Sequence, residues 1–234
     1  MSPLREALEQ VRARIAAACR RAGREPGEVK LLPVTKLHPV ERIVDLMALG
    51  VTDVGENRVQ ELRDKHAWFQ ARGGAQPRWH FIGSIQRNKV KYLARIGPTM
   101  LHAIDSIALA RELEAQAERH STAFDALLEI NVSGETSKHG LTPGEAASTL
   151  RGIATLRHVR IRGLMTMAPF VDDPEETRPV FRAMRGLRDA LQEELDCALP
   201  ELSMGMSNDF EVAVEEGATI VRLGTVILGP RVRT

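Results

Sequence analysis

Only two cysteines occur in 234 residues. Cys19 and Cys197 stand far apart and fit no metal or redox spacing, so no disulfide framework is expected and a reducing cytoplasm is the default compartment. Aromatic residues make up only 4% of the chain, with Tyr92 as the single tyrosine. The basic stretch Arg87, Lys89 and Lys91 therefore lacks the interleaved aromatics of a nucleic-acid surface. Charge of one sign is also missing. The formal net charge is +1, which removes any global electrostatic case for nucleic acid or an acidic membrane. No apolar run is long enough to span a bilayer, and the N-terminus interleaves arginine and glutamate with its apolar residues, unlike a signal peptide. His38, His102, His120 and His158 are scattered without metal-ligand spacing, so no metal site is expected. There is no Ser/Gly-rich linker or low-complexity tract, and one domain over 1–234 is expected.

What is present is an alternation. Leu4, Leu8, Val11, Ile15 and Cys19 recur at helical spacing, and Gly23 and Pro26 follow as stop signals. Apolar, β-branched runs then appear near Val29–Thr35, Val51–Val54, Trp79–Ile82, Met100–Ile104, Ala126–Asn131, Val159–Met165, Leu202–Met204 and Thr219–Leu223. Helical patterns separate them. Over Asn57–Ala71 one stripe holds Val59, Leu62, His66 and Phe69; from Pro174 to Leu195 another holds Phe181, Met184, Leu187, Leu191 and Leu195. Thr142-Pro-Gly-Glu145 and Asp173-Pro174-Glu175-Glu176 carry helix-start chemistry. The pattern predicts parallel βα units and a (β/α)8 TIM barrel with an extra N-terminal helix, with an open doubly wound sheet as the alternative. Pro33 conflicts with this locally, because it removes a ladder donor from a proposed central strand.

Barrels place their chemistry at the C-terminal ends of strands. The distinctive residues fall there: Lys36, Gly55-Glu-Asn57, Trp79-His80-Phe-Ile-Gly83, Asn131–His139, Met165–Phe170, Ser203-Met204-Gly205-Met206-Ser207 and Arg222-Leu-Gly224-Thr225. Lys36 closes the first apolar run. A desolvated lysine has a lowered pKa and becomes an amine nucleophile able to form a Schiff base, although a lysine snorkelling at a strand end fits equally well. Ser207 or Asn208 reads as a helix cap, and with Gly205, Gly224 and Thr225 it offers N–H groups and hydroxyls to a phosphate. An amine and a phosphate cradle on one scaffold suggest pyridoxal 5′-phosphate (PLP). By alternation His80 shares a face with Ile82, either as a buried hydrogen-bonded imidazole or as a ligand contact. Asn57 reads as a helix cap or a contact to a ring substituent.

These segments resemble the YggS/PROSC family of pyridoxal phosphate homeostasis proteins. The resemblance is carried by Val34-Thr-Lys36, Gly55-Glu-Asn57-Arg-Val-Gln-Glu61, Trp79-His-Phe-Ile-Gly83, Gln86-Arg-Asn-Lys89, Asn131-Val-Ser-Gly-Glu135, Gly163-Leu-Met-Thr-Met167, Ser203–Ser207 and Arg222-Leu-Gly-Thr225, in order along nearly the whole chain. It implies a fold like the alanine racemase N-terminal domain, PLP held as a Schiff base on Lys36, phosphate contacts at Ser207, Gly224 and Thr225, and Arg222 facing the pyridine nitrogen. The expected cofactor-binding set is Lys36, Asn57, His80, Met204, Ser207, Arg222, Gly224 and Thr225, with no catalytic residue assigned. Ser84, Asn208 and Leu37-His38 depart from the residues common in the family at those places.

An arginine on the ring nitrogen donates its hydrogen and leaves that nitrogen unprotonated, which makes a poor electron sink. The chain also ends where a racemase adds the domain with its second, tyrosine base. The resulting expectation is a cytoplasmic, monomeric carrier in PLP homeostasis, bearing indirectly on amino and keto acid balance, with apo PLP-dependent enzymes as recipients and no demonstrable turnover. A weak PLP-dependent racemase or lyase is the alternative. A Schiff-base aldolase-type barrel without PLP is the third reading.

Overall fold

A computed structural model describes residues 2–135 and 139–230. Thr136, Ser137 and Lys138 of the fifth strand-end segment, and the terminal arginines Arg231 and Arg233, lie outside the described residues.

Eight strands form one parallel sheet: β1 (Lys30–Pro33), β2 (Asp53–Glu56), β3 (Arg78–Phe81), β4 (Met100–Ile104), β5 (Phe124–Glu129), β6 (Val159–Met165), β7 (Glu201–Ser203) and β8 (Ile220–Leu223). Their order is β1-β8-β7-β6-β5-β4-β3-β2, so every strand lies beside its neighbour in sequence. The β1/β2 seam is closed by the Val34–Gly55 bridge and by Thr35 N–H donating to Gly55 O at 3.0 Å. This decides for the barrel over the open sheet, with βα succession throughout.

The same seam resolves the Pro33 conflict. Lys30 N–H and Val34 N–H donate to Thr219 O and Leu223 O at the β8 side. By alternation Pro33 faces the β2 side, where the ladder is reduced to a single bridge. Its missing N–H therefore leaves little unpaired.

Helices cover the outside. α1 (Pro3–Arg21) buries the stripe Leu4, Leu8, Val11, Ile15 and Cys19. Arg14 fastens it to the far end of the chain, donating to Glu211 at 3.1 and 2.8 Å. α2 (Val40–Ala48), α3 (Val59–Arg72), α4 (Val90–Ile96), α5 (Ile107–Arg119), α6 (Ala146–Ile153) and α7 (Arg178–Leu195) follow β1 to β6 in turn, and short α8 (Phe210–Glu215) and α9 (Thr225–Leu228) follow β7 and β8. Among the described residues, no helix is long and apolar enough to cross a membrane.

Several boundaries differ from the sequence pattern. Thr142 and Glu145 do form a reciprocal capping box, but it opens a 3-10 turn that feeds α6. Pro174–Thr177 is likewise a 3-10 turn before α7. α3 begins with Arg58 at its cap position and no side-chain cap bond, so Asn57 is not the cap. Within α3, Lys65 is buried, and His66 is only half-buried.

Two apolar layers result. The larger lies between sheet and helices and takes Trp79, Phe81, Leu164, Leu202 and Met204. The smaller fills the barrel with Leu32, Met100, Ala103, Leu127, Met165 and Ile220, against which Ile82 packs.

Candidate functional site

A cavity of about 950 Å³ opens at the C-terminal ends of the strands. Six of the eight expected contacts line it: Lys36, Asn57, Ser207, Arg222, Gly224 and Thr225. The other two do not, for different reasons. Successive strand residues point to opposite faces. Met204, one residue past β7, points outward and is fully buried in the sheet–helix layer. His80 points inward but one layer below the cavity, fully buried and hydrogen-bonded to Asp53 and His102. The buried-imidazole reading of His80 is the one observed.

Lys36 does not end a strand. β1 stops at Pro33, and Lys36 opens a turn three residues on. A buried ionic cluster holds that turn. Lys65 Nζ donates to Thr35 O at 2.8 Å, to Glu56 Oε1 at 2.7 Å and to Glu61 Oε1 at 2.7 Å. Thr35 Oγ1 donates to Glu56 Oε1 at 2.5 Å, and Leu37 N–H donates to Glu61 Oε1 at 2.6 Å. Leu37 has φ +61°, which costs a residue with a Cβ about 1 kcal/mol. The Glu61 bond offsets this and fixes the direction in which Lys36 leaves the backbone. Burial pushes the Glu56 carboxyl above the usual range, against the pull of Lys65 and Thr35.

Arg222 forms the floor. Nη1 donates to Ser203 Oγ at 2.7 Å and Nη2 to Thr166 O at 2.9 Å. Complete burial pushes its pKa down to about 10, partly offset by Asp209 and Glu129, so it stays charged at neutral pH. Burial raises both of those carboxyls. Both also line the cavity, and neither was among the expected contacts. Glu129 is hidden in sequence as one acid at the end of an apolar run. Asp209 reads there as part of a helix start.

That helix start is rearranged. Asp209, not Ser207 or Asn208, stands at the cap position of α8, and its Oδ1 accepts the Met206 N–H at 2.6 Å. Asn208 Nδ2 instead donates to Val171 O at 2.9 Å. Ser207 is thereby left half-buried on the cavity wall. Gly205 serves packing and does not line the cavity. Its φ is +92°, and a Cβ there would meet the Ala213 Cβ at 2.6 Å. Gly83 does line the cavity, where a Cβ would stand 2.1 Å from the Asn57 carbonyl oxygen. The rim is apolar: Met167, Met206 and Phe170 are exposed at the mouth, Phe170 by 86%.

The donor set fits PLP chemically. An amine at Lys36 can meet an aldehyde, hydroxyls at Ser207 and Thr225 beside Gly224 can meet a phosphate, and a charged arginine that only donates can meet a pyridine nitrogen. Asn57 Oδ1, buried without a hydrogen-bond partner among the described residues, adds an acceptor for a ring hydroxyl.

The family described as alanine racemase, N-terminal domain, matches residues 7–232, which defines the class of this barrel. The chain is 46% identical over 227 residues to the pyridoxal phosphate homeostasis protein of Aquifex aeolicus, covering 97% of each. It is 37% identical over 235 residues to that of Escherichia coli K12, covering 99% of this chain and 98% of the other. The structure of PipY from Synechococcus elongatus with PLP bound superposes with a TM-score of 0.83 at 32% identity, over 97% of this chain and 100% of that one. D-threonine aldolase from Filomicrobium marinum, at 18% identity and TM-score 0.76, shares the fold over 96% of this chain and 60% of its own. The chain belongs to the family of pyridoxal phosphate homeostasis proteins.

Proposed function

We propose that this chain binds PLP as a Schiff base on Lys36 and serves in intracellular PLP homeostasis, holding the cofactor for release to apo PLP-dependent enzymes. The observation that carries the reading is the shared cavity: Lys36, Arg222 and the Ser207, Gly224, Thr225 group face one space of cofactor size. PLP supplies an electrophilic carbonyl when bound; the protein's residues supply the rest. Lys36 presents the amine from a turn fixed by Lys65 and Glu61. Arg222 donates toward the ring nitrogen and disfavours its protonation, which restrains carbanion chemistry. PLP bound to the PipY relative supports the cofactor.

A holding role also fits the placement of Tyr92. Two-base racemisation needs a second acid–base group over the cofactor. Tyr92, the only tyrosine, lines a separate cavity of about 360 Å³ with Arg63 and Lys89. The exposed rim of Met167, Phe170 and Met206 suits transient contact with a recipient. The two free cysteines suit the cytoplasm, and we propose a monomer there. Sedimentation at micromolar concentration should give a single species of monomer mass; a stable dimer would refute that part.

Purified protein incubated with PLP should absorb in the visible, and borohydride should trap a phosphopyridoxyl group on Lys36. Lys36→Ala should abolish the trapped adduct. An adduct retained by that variant at another lysine sinks the assignment. One observation favours the weak racemase or lyase reading: His38, buried, lines the same cavity as Lys36. Steady turnover of an amino acid, lost in both Lys36→Ala and His38→Phe, would establish that reading instead.

A further inference from the structure

Barrel interiors are filled chiefly by branched apolar side chains. This one carries a line of polar groups through its centre. Alternation turns Asp53 of β2, His80 of β3, His102 of β4, Ser203 of β7 and Arg222 of β8 inward, and all five are buried. They form one continuous chain. His80 Nε2 lies 2.9 Å from Asp53 Oδ1, His80 Nδ1 lies 2.9 Å from His102 Nε2, and His102 Nδ1 lies 2.9 Å from Ser203 Oγ. Ser203 Oγ then accepts from Arg222 Nη1 at 2.7 Å. The chain begins beside Lys30 and Arg78, which pair with Asp53 at the N-terminal mouth, and ends in the cavity at the opposite mouth.

Burial favours neutral imidazoles at both positions, and with both neutral, hydrogen bookkeeping fixes the direction of every bond. Arginine has no acceptor, so Arg222 donates to Ser203. The Ser203 hydroxyl has one hydrogen, which goes to His102 Nδ1. His102 must then carry its own hydrogen on Nε2 and give it to His80 Nδ1. His80 carries its hydrogen on Nε2 and gives it to Asp53, whose carboxylate only accepts. Four bonds use four hydrogens, and both imidazoles are neutral. An added proton on His102 would set N–H groups against His80 Nδ1–H or the Ser203 O–H, and one on His80 is accommodated only if His102 switches to its Nδ1–H tautomer and the Ser203 O–H turns away.

We infer that Asp53, His80, His102 and Ser203 are positioning residues that hold Arg222 in one orientation as the donor facing the cofactor ring. The inference rests on the proposed binding of PLP in that cavity. Ser203 and the Thr166 carbonyl anchor two of the three guanidinium nitrogens from below, so the fork cannot turn. Ser203 can accept that bond while its own hydrogen is engaged by His102, and His102 is held in the required tautomer by His80 and Asp53. Arg222 is thus oriented by a carboxylate at the far mouth of the barrel.

The test uses the full-length chain labelled with nitrogen-15. Long-range proton–nitrogen spectra should show His80 and His102 as neutral Nε2–H tautomers from about pH 8 down to about pH 5, where an ordinary imidazole has titrated. The Arg222 Nη signals should be resolved by slow guanidinium rotation in wild type. In Ser203→Ala and in His102→Phe they should collapse, and PLP release should quicken about tenfold, as expected for one hydrogen bond to a charged group. Bound-PLP absorbance should shift in both variants. An Nδ1–H tautomer, a protonated ring in that pH range, or variants with wild-type Arg222 signals and release rate would each overturn the inference. If wild type takes up no PLP, the proposed function fails, and the tautomers and Arg222 signals still decide the array. If His102→Phe does not fold, Ser203→Ala breaks the same chain with the loss of one oxygen.

Discussion

A single buried lysine governs how Lys36 is presented. Lys65 donates to Glu56 Oε1, Glu61 Oε1 and the Thr35 carbonyl at once, and Glu56 has no other cation at hydrogen-bond distance among the described residues. Removing one partner of a buried pair leaves an uncompensated charge. Lys65→Met should therefore lower stability by about 3–5 kcal/mol, read as a reduced urea midpoint. It should also slow adduct formation at Lys36, since Glu61 would no longer be held under Leu37. A midpoint within about 0.5 kcal/mol of wild type would show that Glu56 is simply protonated and the cluster dispensable.

At the level of elements, two glycines make opposite predictions. Gly205 joins β7 to α8 with φ +92° and lies against Ala213 and Phe210. Gly205→Ala adds left-handed strain and overpacking, and should cost about 2–4 kcal/mol in denaturant unfolding. Gly186 lies on the exposed side of α7, with nothing within 4 Å of a built Cβ. Gly186→Ala should stabilise by up to about 1 kcal/mol, since alanine is the better helix former. Equal effects of the two substitutions would refute this distinction. The α8 region also shows how an element boundary moves. Ser207, Asn208 and Asp209 are all good cap residues, and which of them caps depends on the Met206 N–H and the Val171 carbonyl brought near by folding.

Across the whole molecule, the buried imidazoles set the pH response. Burial lowers the pKa of both His80 and His102, the latter far below the usual value. The unfolded chain binds protons on them below about pH 6.5, while the folded chain does not. The unfolded state then holds more protons, so stability rises with pH and this contribution flattens above pH 6.5. Going down, each imidazole should remove up to about 1.4 kcal/mol per pH unit. The raised carboxyls of Glu56, Glu129 and Asp209 act in the opposite direction nearer their own range. Unfolding midpoints between about pH 7 and about pH 5 isolate the histidine part when wild type is set against His102→Phe, whose slope should be shallower. Parallel slopes would mean that His102 takes up its proton in the folded state.

The linear pattern determined what depends on local periodicity and residue chemistry. Strand runs, helix stripes and the α1 face are legible because burial of one face imposes its period on the sequence. Lys36, Ser207, Arg222, Gly224 and Thr225 are legible because their chemistry is distinctive and they lie at or just beyond strand ends. His80 and Met204 fall within one or two residues of strand ends, and alternation plus depth in the barrel keeps them out of the cavity lining. Nothing local marks Glu129, Asp209, Lys65 or the Asp53–His80–His102–Ser203 line as a set. Lys65 meets Glu56 across 9 positions, and the polar line joins residues 22, 27 and 101 positions apart. Closure of the sheet through the β1/β2 seam alone brings opposite strands within hydrogen-bond distance across the interior. The tertiary structure therefore decided which polar residues are buried together, and with them the orientation of Arg222.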